Sequence, residues 1–234
     1  MPSTTIDLSS FDSIPDCINA FRNGEFLVVL DDPGRENEAD LIIAASSITA
    51  AQMAFMVRHS SGFICAPLAP ALTDKLDLPQ MVSKTSSQDP RGTAYTLSVD
   101  AADPAVTTGI SAHDRALTCR VLADPSTVAA DLRRPGHVLP LRAREGGVRV
   151  RPGHTEAAVD FARLAGKGDA AVICELVDDG EPIEGVAEHA NPGMLRGDAC
   201  IAFARRWGVK VCTIEALVAY LEKTEGKIDA NGSS

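Results

Sequence analysis

FLVVLDDPGRENEADLIIAA, residues 26 to 45, is the stretch whose reading decides the fold. Two short apolar runs, 26–30 and 41–45, flank a segment that sets Asp31, Asp32, Glu36, Glu38 and Asp40 around one cation, Arg35. Each run has the length and apolar content of a buried strand, so the acidic segment becomes a strand-to-strand connection held at both ends. A β-hairpin here breaks the regular alternation of a doubly wound sheet. The expected architecture is therefore α+β, a single domain with a mixed β-sheet flanked by helices.

Neighbouring carboxylates repel one another and favour each other's protonation, so the crowding is costly unless something cationic sits among them. If the strand continues through the acidic segment, Glu36, Glu38 and Asp40 share one face while Arg35 and Asn37 take the other. A charged turn that keeps a hairpin soluble explains the run equally well. An EF-hand does not, because the ligand spacing and the glycine position are wrong.

Outward from the hairpin, a helix is expected over 16–22, stopped by Gly24, and another from the capping box Thr49-Ala-Ala-Gln52 to about residue 58. Gly62 closes that helix before a strand at 63–68. Residues 83–93 carry little apolar content and read as an exposed loop, followed by strand character at 95–99. Ser111 caps a helix to about residue 122, and from Asp124-Pro125 to 153 the chain reads as loop. Thr155 opens a helix with Ala158, Phe161, Ala162 and Ala165 on one face, ended by Gly166. A strand at 171–177, a helix at 194–207, a strand at 209–212 and a helix at 214–222 complete the pattern. No composition break marks a boundary, so residues 1–234 read as one domain with its core at about 15–222 and a polar, disordered tail at 223–234.

The chain has 234 residues, 45% of them hydrophobic, enough for a buried core. A net charge of −10 repels nucleic acid, anionic lipid and phosphorylated metabolites alike, so any phosphate site must be a local basic pocket. Neither a nucleic-acid partner nor a membrane role is supported, since no apolar stretch approaches the ~20 residues that span a bilayer. Six cysteines stand singly, without a CxxC pair or a secretory leader, which fits a reducing cytoplasmic setting.

Arg-Pro-Gly-His occurs twice, at 134–137 and 151–154, and looks like two arms of a single site. Arg151, Gly153 and Thr155 before a helix form a phosphate seat: free backbone N–H groups, a close backbone approach and a two-pronged donor. A plain Thr N-cap beside a solvated arginine is the competing reading. His154 beside that seat can ligate a metal, and together with the acidic loop it offers carboxylate and imidazole to a divalent cation. Mg²⁺ commonly takes only one or two protein ligands and fills its octahedron with substrate oxygens and water. Glu175 interrupts an apolar strand, so it either points to solvent or sits partly desolvated, ready for proton transfer. Cys65 reads as a small buried hydrophobe.

Taken together, Arg-Glu-Asn-Glu-Ala-Asp-Leu (35–41), Thr-Thr-Gly-Ile-Ser-Ala-His-Asp-Arg-Ala (107–116), Arg-Arg-Pro-Gly-His-Val (133–138), Arg-Pro-Gly-His-Thr-Glu (151–156) and Ile-Cys-Glu-Leu (173–176) resemble the 3,4-dihydroxy-2-butanone 4-phosphate synthase family of riboflavin biosynthesis. The likeness runs from about residue 15 to 222, in the family's order. It implies a lyase that converts D-ribulose 5-phosphate to L-3,4-dihydroxy-2-butanone 4-phosphate and formate through a metal-stabilised enediolate, skeletal rearrangement and loss of C1.

The resemblance also implies Mg²⁺, with Mn²⁺ as substitute, at one or two ions per site, held by Glu36 and His154. Implied substrate contacts are Arg35, Glu36, Asp40, Arg151, Pro152, Gly153, His154, Thr155 and Glu175. Implied catalytic groups are His137, Glu175 and Asp40. A homodimer with active sites near the interface is expected, with one activity only. The family usually has Gly where this chain has Ala39, and a more acidic lead-in in place of Pro33-Gly34; Ala39 fits if its φ stays negative. The readings left in competition are a metal-dependent phosphatase or phosphodiesterase and a non-enzymatic acidic Ca²⁺-binding module.

Overall fold

The computed structural model describes residues 10–228. Its helices are Ile14–Arg22 (α1), Ala50–His59 (α2), Pro70–Lys75 (α3), Ala112–Ala123 (α4), His154–Leu164 (α5), Asp198–Trp207 (α6) and Ile214–Glu225 (α7). The strands are Leu27–Leu30 (β1), Ala39–Ala44 (β2), Cys65–Leu68 (β3), Val99–Ala101 (β4), Leu132–Arg142 (β5), Ala171–Glu175 (β6), Val177–Asp178 (β7), Glu181–Pro182 (β8), His189–Ala190 (β9), Gly193–Met194 (β10) and Lys210–Thr213 (β11).

Seven strands form one sheet in the order β11-β1-β2-β6-β3-β5-β4. β1 runs antiparallel to β2, Leu27 opposite Ile42 and Leu30 opposite Ala39, and parallel to β11 on its other side. β3 is parallel to β5 and antiparallel to β6. The sheet is thus mixed, and the molecule is a single α+β domain, as the hairpin implied.

Helices cover both faces. Val28 and Leu30 join one core with Leu41, Ile43, Met53, Met56, Cys119 and Leu122, while Leu27 and Val29 join the other with Ile42, Phe21, Phe161 and Leu217. Successive strand side chains point to opposite faces, and here both faces are dry. Every residue of β1 and β2 is therefore buried, and the strands read as continuous apolar runs rather than alternating ones. All six cysteines are free and buried. No helix among the described residues is long and apolar enough to cross a membrane.

The structure departs from expectation in several places: the strand expected at 95–99 shrinks to β4 at Val99–Ala101, with isolated bridges at Tyr95 and Thr96, and α3 is unexpected. The segment after Asp124, expected as loop to 153, holds the 11-residue strand β5. Pro135 and Pro140 lack the N–H that a ladder uses, so local propensity hides it; the strand persists because Leu132, Arg133 and Val138 pair with β4 and 139–142 with β3. α5 begins at His154 with Gly153 as its N-cap, so Thr155 lies inside the first turn and caps nothing. α6 begins only at Asp198, and Met194 belongs to β10 instead. α7 continues to Glu225, whose carboxylate takes Arg149 and Arg163 at 2.9 and 2.8 Å; residues 229–234 of the expected tail lie outside the described residues. The Thr49–Gln52 capping box and the Ser111 cap are both present.

Candidate active site

β1 and β2 deliver the acidic loop to one end of the sheet, and β6 brings Glu175 directly opposite Asp40. The first turn of α5 faces the same place, with His154 Nε2 3.1 Å from the Val29 carbonyl. Between these elements lies a cavity of about 130 Å³ lined by Arg35, Glu36, Glu38, Asp40, Thr93, Tyr95, Leu141, Arg151, His154, Thr155, Ile173 and Glu175. A larger cavity of about 610 Å³ lies beyond the shared wall of Thr93 and Tyr95. The crowded acids and the histidine line the smaller one.

The acidic loop does not extend the strand. Asp31 closes it as a clasp: Oδ2 accepts Arg35 Nη1 at 2.7 Å and the Glu36 N–H at 3.2 Å, and Oδ1 accepts the Glu38 N–H at 2.9 Å. Asn37 turns the backbone with φ 55°. The expected sharing of one strand face by Glu36, Glu38 and Asp40 therefore fails, because only Asp40 lies in regular β2. Arg35 pairs with Asp31 and, at 2.5 Å, with Glu36. Ala39 sits in β2 without a positive φ, so the missing glycine is accommodated.

One ligand atom each of Asp31, Glu36 and His154 lie within 4.8 Å of one another. The sequence pairing of Glu36 with His154 is thus brought together across 118 positions, and Asp31, read only as part of the acidic run, joins them. Two carboxylates and one imidazole suit a hard divalent cation. With Nε2–H donated to Val29 O, Nδ1 keeps the lone pair a metal needs. Burial, the largest influence, pushes the His154 pKa well down against the opposing charge of Asp31, so the ring is neutral at pH 7. Asp40 moves the other way: it is 2% exposed, and burial followed by the charges of Glu175, Glu36, Asp31 and Glu38 holds its carboxyl well above the usual range. Its Oδ1 is buried without a hydrogen-bond partner.

At the start of α5 no side chain caps the helix. Arg151 is not solvated; Nη1 binds Glu156 Oε2 at 2.6 Å. Pro152 and Gly153 form the turn between Arg151 and His154, which both line the cavity, with the Gly153 N–H on the Arg151 carbonyl at 2.8 Å. Loop 83–93 is exposed as expected, but Arg91 reaches back to the Arg35 carbonyl and lies 3.5 Å from Glu36 Oε1. Half-buried Glu175 accepts the Ser61 hydroxyl at 3.2 Å.

The other Arg-Pro-Gly-His corner is not a second arm of this cavity within the chain. Arg134 is spent on the carbonyls of Leu76, Ala129 and Leu132, and β5 lies three places from β2 in the sheet. His137 forms instead a dyad with Asp100, Nδ1 to Oδ2 at 2.8 Å, with 41% of its side chain exposed. Gly109 lies against that dyad so closely that a Cβ would sit 2.1 Å from Asp100 Oδ2. Cys65 is buried, as its reading as a small hydrophobe expected, and does not line the cavity; burial pushes its thiol well up, which suits packing rather than nucleophilic work. Sequence reasoning missed Asp31 as a clasp, and Thr93 and Tyr95 as walls. Their only signal was position, Asp31 as the first residue past a buried strand.

The chain matches the family model described as 3,4-dihydroxy-2-butanone 4-phosphate synthase over residues 15–220. It is 69% identical over 234 residues to the protein of that name from Pyricularia oryzae, all of both chains covered. It is 50% identical over 211 residues to the Schizosaccharomyces pombe protein of the same name, covering 90% of this chain and 97% of the relative. A crystal structure of such a synthase in complex with two magnesium ions superposes with a TM-score of 0.91 at 70% identity, covering 93% of this chain and 100% of that one.

Proposed function

Since the chain belongs to the 3,4-dihydroxy-2-butanone 4-phosphate synthase family and is a lyase of riboflavin biosynthesis, we propose that the cavity between the acidic loop, β6 and the start of α5 is where its chemistry occurs. The enzyme converts D-ribulose 5-phosphate into L-3,4-dihydroxy-2-butanone 4-phosphate and formate with Mg²⁺, at one or two ions per site. The observation that carries the siting is the convergence of Asp31, Glu36 and His154 beside the orphaned Asp40 Oδ1. Glu36 and His154 hold the ion, with Asp31 beside them. When bound, it supplies a Lewis acid that stabilises negative charge on adjacent substrate oxygens.

The chain's own groups supply the rest. Substrate and products balance without further reactants, so every proton removed during ionisation, hydroxyl loss and carbon migration must be held and returned locally. Buried Asp40, whose carboxyl is held well above the usual range, is the acid; Glu175, opposite it across the strand pair, takes the proton. Arg151, Thr155 and the uncapped N–H groups of α5, turned by Pro152 and Gly153, seat the 5-phosphate against the unfavourable mean charge. Arg35, once drawn from Asp31 and Glu36, is free to meet substrate oxygens.

His137 acts from a second copy of the chain. Its ring, paired with buried Asp100, is half exposed and outside the cavity, and Phe63, Met81, Leu97 and Ile110, 37 to 53% exposed, leave an apolar rim beside Tyr95 and Gly109. A homodimer joining through that rim completes the site. The test is incubation of ribulose 5-phosphate with and without chelator, assaying formate and inorganic phosphate together. Formate alone, abolished by chelation and restored by Mg²⁺, is expected; inorganic phosphate release identifies a phosphatase and ends this reading.

A further inference from the structure

Glu156 is a buried carboxylate that none of the steps above employs. It is 1% exposed, with Oε1 accepting the Arg144 N–H at 2.9 Å and Oε2 accepting Arg151 Nη1 at 2.6 Å. A buried ion pair of this kind gains little stability, because desolvation offsets the attraction. Its geometric effect is larger. With Nη1 held, the remaining edge of the guanidinium, Nε and Nη2, turns toward loop 83–93 and the cavity wall.

What that edge meets is weak. Nε and Nη2 lie 3.4 and 3.3 Å from the Arg91 carbonyl, and Nη2 lies 3.3 Å from Thr93 Oγ1. All three contacts are at the long limit, and Arg91 belongs to the exposed loop. By contrast the grip of Glu156 is short, charged and dry. Gly153 makes it possible, since a Cβ there would come within 2.5 Å of Arg151 Nη1 and 3.1 Å of Glu156 Oε2. An Nε–Nη2 edge is the fork that takes two phosphate oxygens in parallel, and a dianion outcompetes a single stretched carbonyl.

We propose that Glu156 is a positioning residue, which by gripping Nη1 of Arg151 presents the Nε–Nη2 edge to the cavity as a two-pronged seat for the substrate phosphate. The proposal rests on the reading that Arg151 receives that phosphate. Glu156→Gln keeps an acceptor for Arg144 but replaces the charged grip, so the fork loses its orientation while the fold keeps its tie.

The experiment is steady-state kinetics of the full-length Mg²⁺ enzyme, with inorganic phosphate as competitive inhibitor, on Glu156→Gln, Arg151→Ala and the double variant. Loss of one oriented charge-assisted hydrogen bond raises KM for ribulose 5-phosphate roughly ten- to hundredfold. The phosphate inhibition constant rises by the same factor, kcat stays within about threefold, and Glu156→Gln adds nothing further in the Arg151→Ala background. Glu156→Asp, which keeps the charge but withdraws it by one methylene, carries the same readout if the glutamine variant does not fold. If Arg151→Ala changes neither KM nor phosphate inhibition, the reading of Arg151 fails and the proposal with it. If Arg151→Ala raises both while the Glu156 variants raise neither, lower kcat alone, or add fully to Arg151→Ala, Arg151 stands and the proposal for Glu156 is overturned.

Discussion

Replacing Asp31 by Asn tests whether the acidic loop is built around that carboxylate. The side chain is fully buried against an Arg35 side chain 17% exposed, and it accepts three hydrogen bonds, two on Oδ2 and one on Oδ1. An amide can accept on one side only. With its oxygen toward Arg35 it turns an NH₂ on the Glu38 N–H; reversed, it turns the NH₂ on both the guanidinium and the Glu36 N–H. At least one charge-assisted bond and the ion pair are lost, about 3 kcal/mol from the cost of such bonds and of breaking a buried pair. For a chain of this size that is a fall in Tm of roughly 6–12 °C. The loop would then release Glu36 from its place beside His154, so Mn²⁺ affinity, read by calorimetry or by the electron paramagnetic resonance of free ion, should drop at least about tenfold. A variant with Tm within about 2 °C of the parent and unchanged Mn²⁺ affinity would refute the clasp and its part in the metal centre.

Asp40→Asn should stabilise the metal-free protein while abolishing turnover. Folding raises the Asp40 pKa from 3.8, so the folded state holds a proton that the unfolded chain releases above about pH 4, and this contribution is full below pH 4 and lost as pH rises through the folded value. Urea midpoints in chelator should therefore favour the variant at pH 8 and coincide near pH 3.5; a wild-type protein that gains on the variant with rising pH contradicts the argument. For the shared site, co-expression of His137→Ala with Glu175→Gln should recover about a quarter of wild-type activity, because half of the dimers would carry one intact site out of two. No recovery from a verified heterodimer places both groups in one chain's site.

The local half of the site was legible because chemistry and chain position coincide there. Five acids crowded between two apolar runs and a histidine in a glycine corner are visible as types and spacings, and folding does bring Glu36 to His154. Glu175 was conspicuous as a charge in an apolar strand. Thr93, Tyr95 and the clasp role of Asp31 were not legible, since a wall is defined by what lies across it. The two Arg-Pro-Gly-His corners were indistinguishable for the same reason: within one chain the same residue types serve as a cavity edge at 151–154 and as a turn brace at 134. β5 was hidden because its prolines break local propensity, while its stability comes from β3 and β4, both distant in sequence.

By itself the sequence determined the element types wherever burial imposes a period or a run: the hairpin, the capped helices, and hence a mixed sheet covered by helices. It also determined the inventory of acids, imidazoles and cations available for chemistry. Only the tertiary structure decided which of these meet. Register placed Asp40 against Glu175, the loop curled to put Asp31 beside Glu36 and His154, and the order of strands left His137 outside with Asp100. Propensity and pattern act between neighbours in the chain, whereas pKa values, metal geometry and desolvation act between neighbours in space.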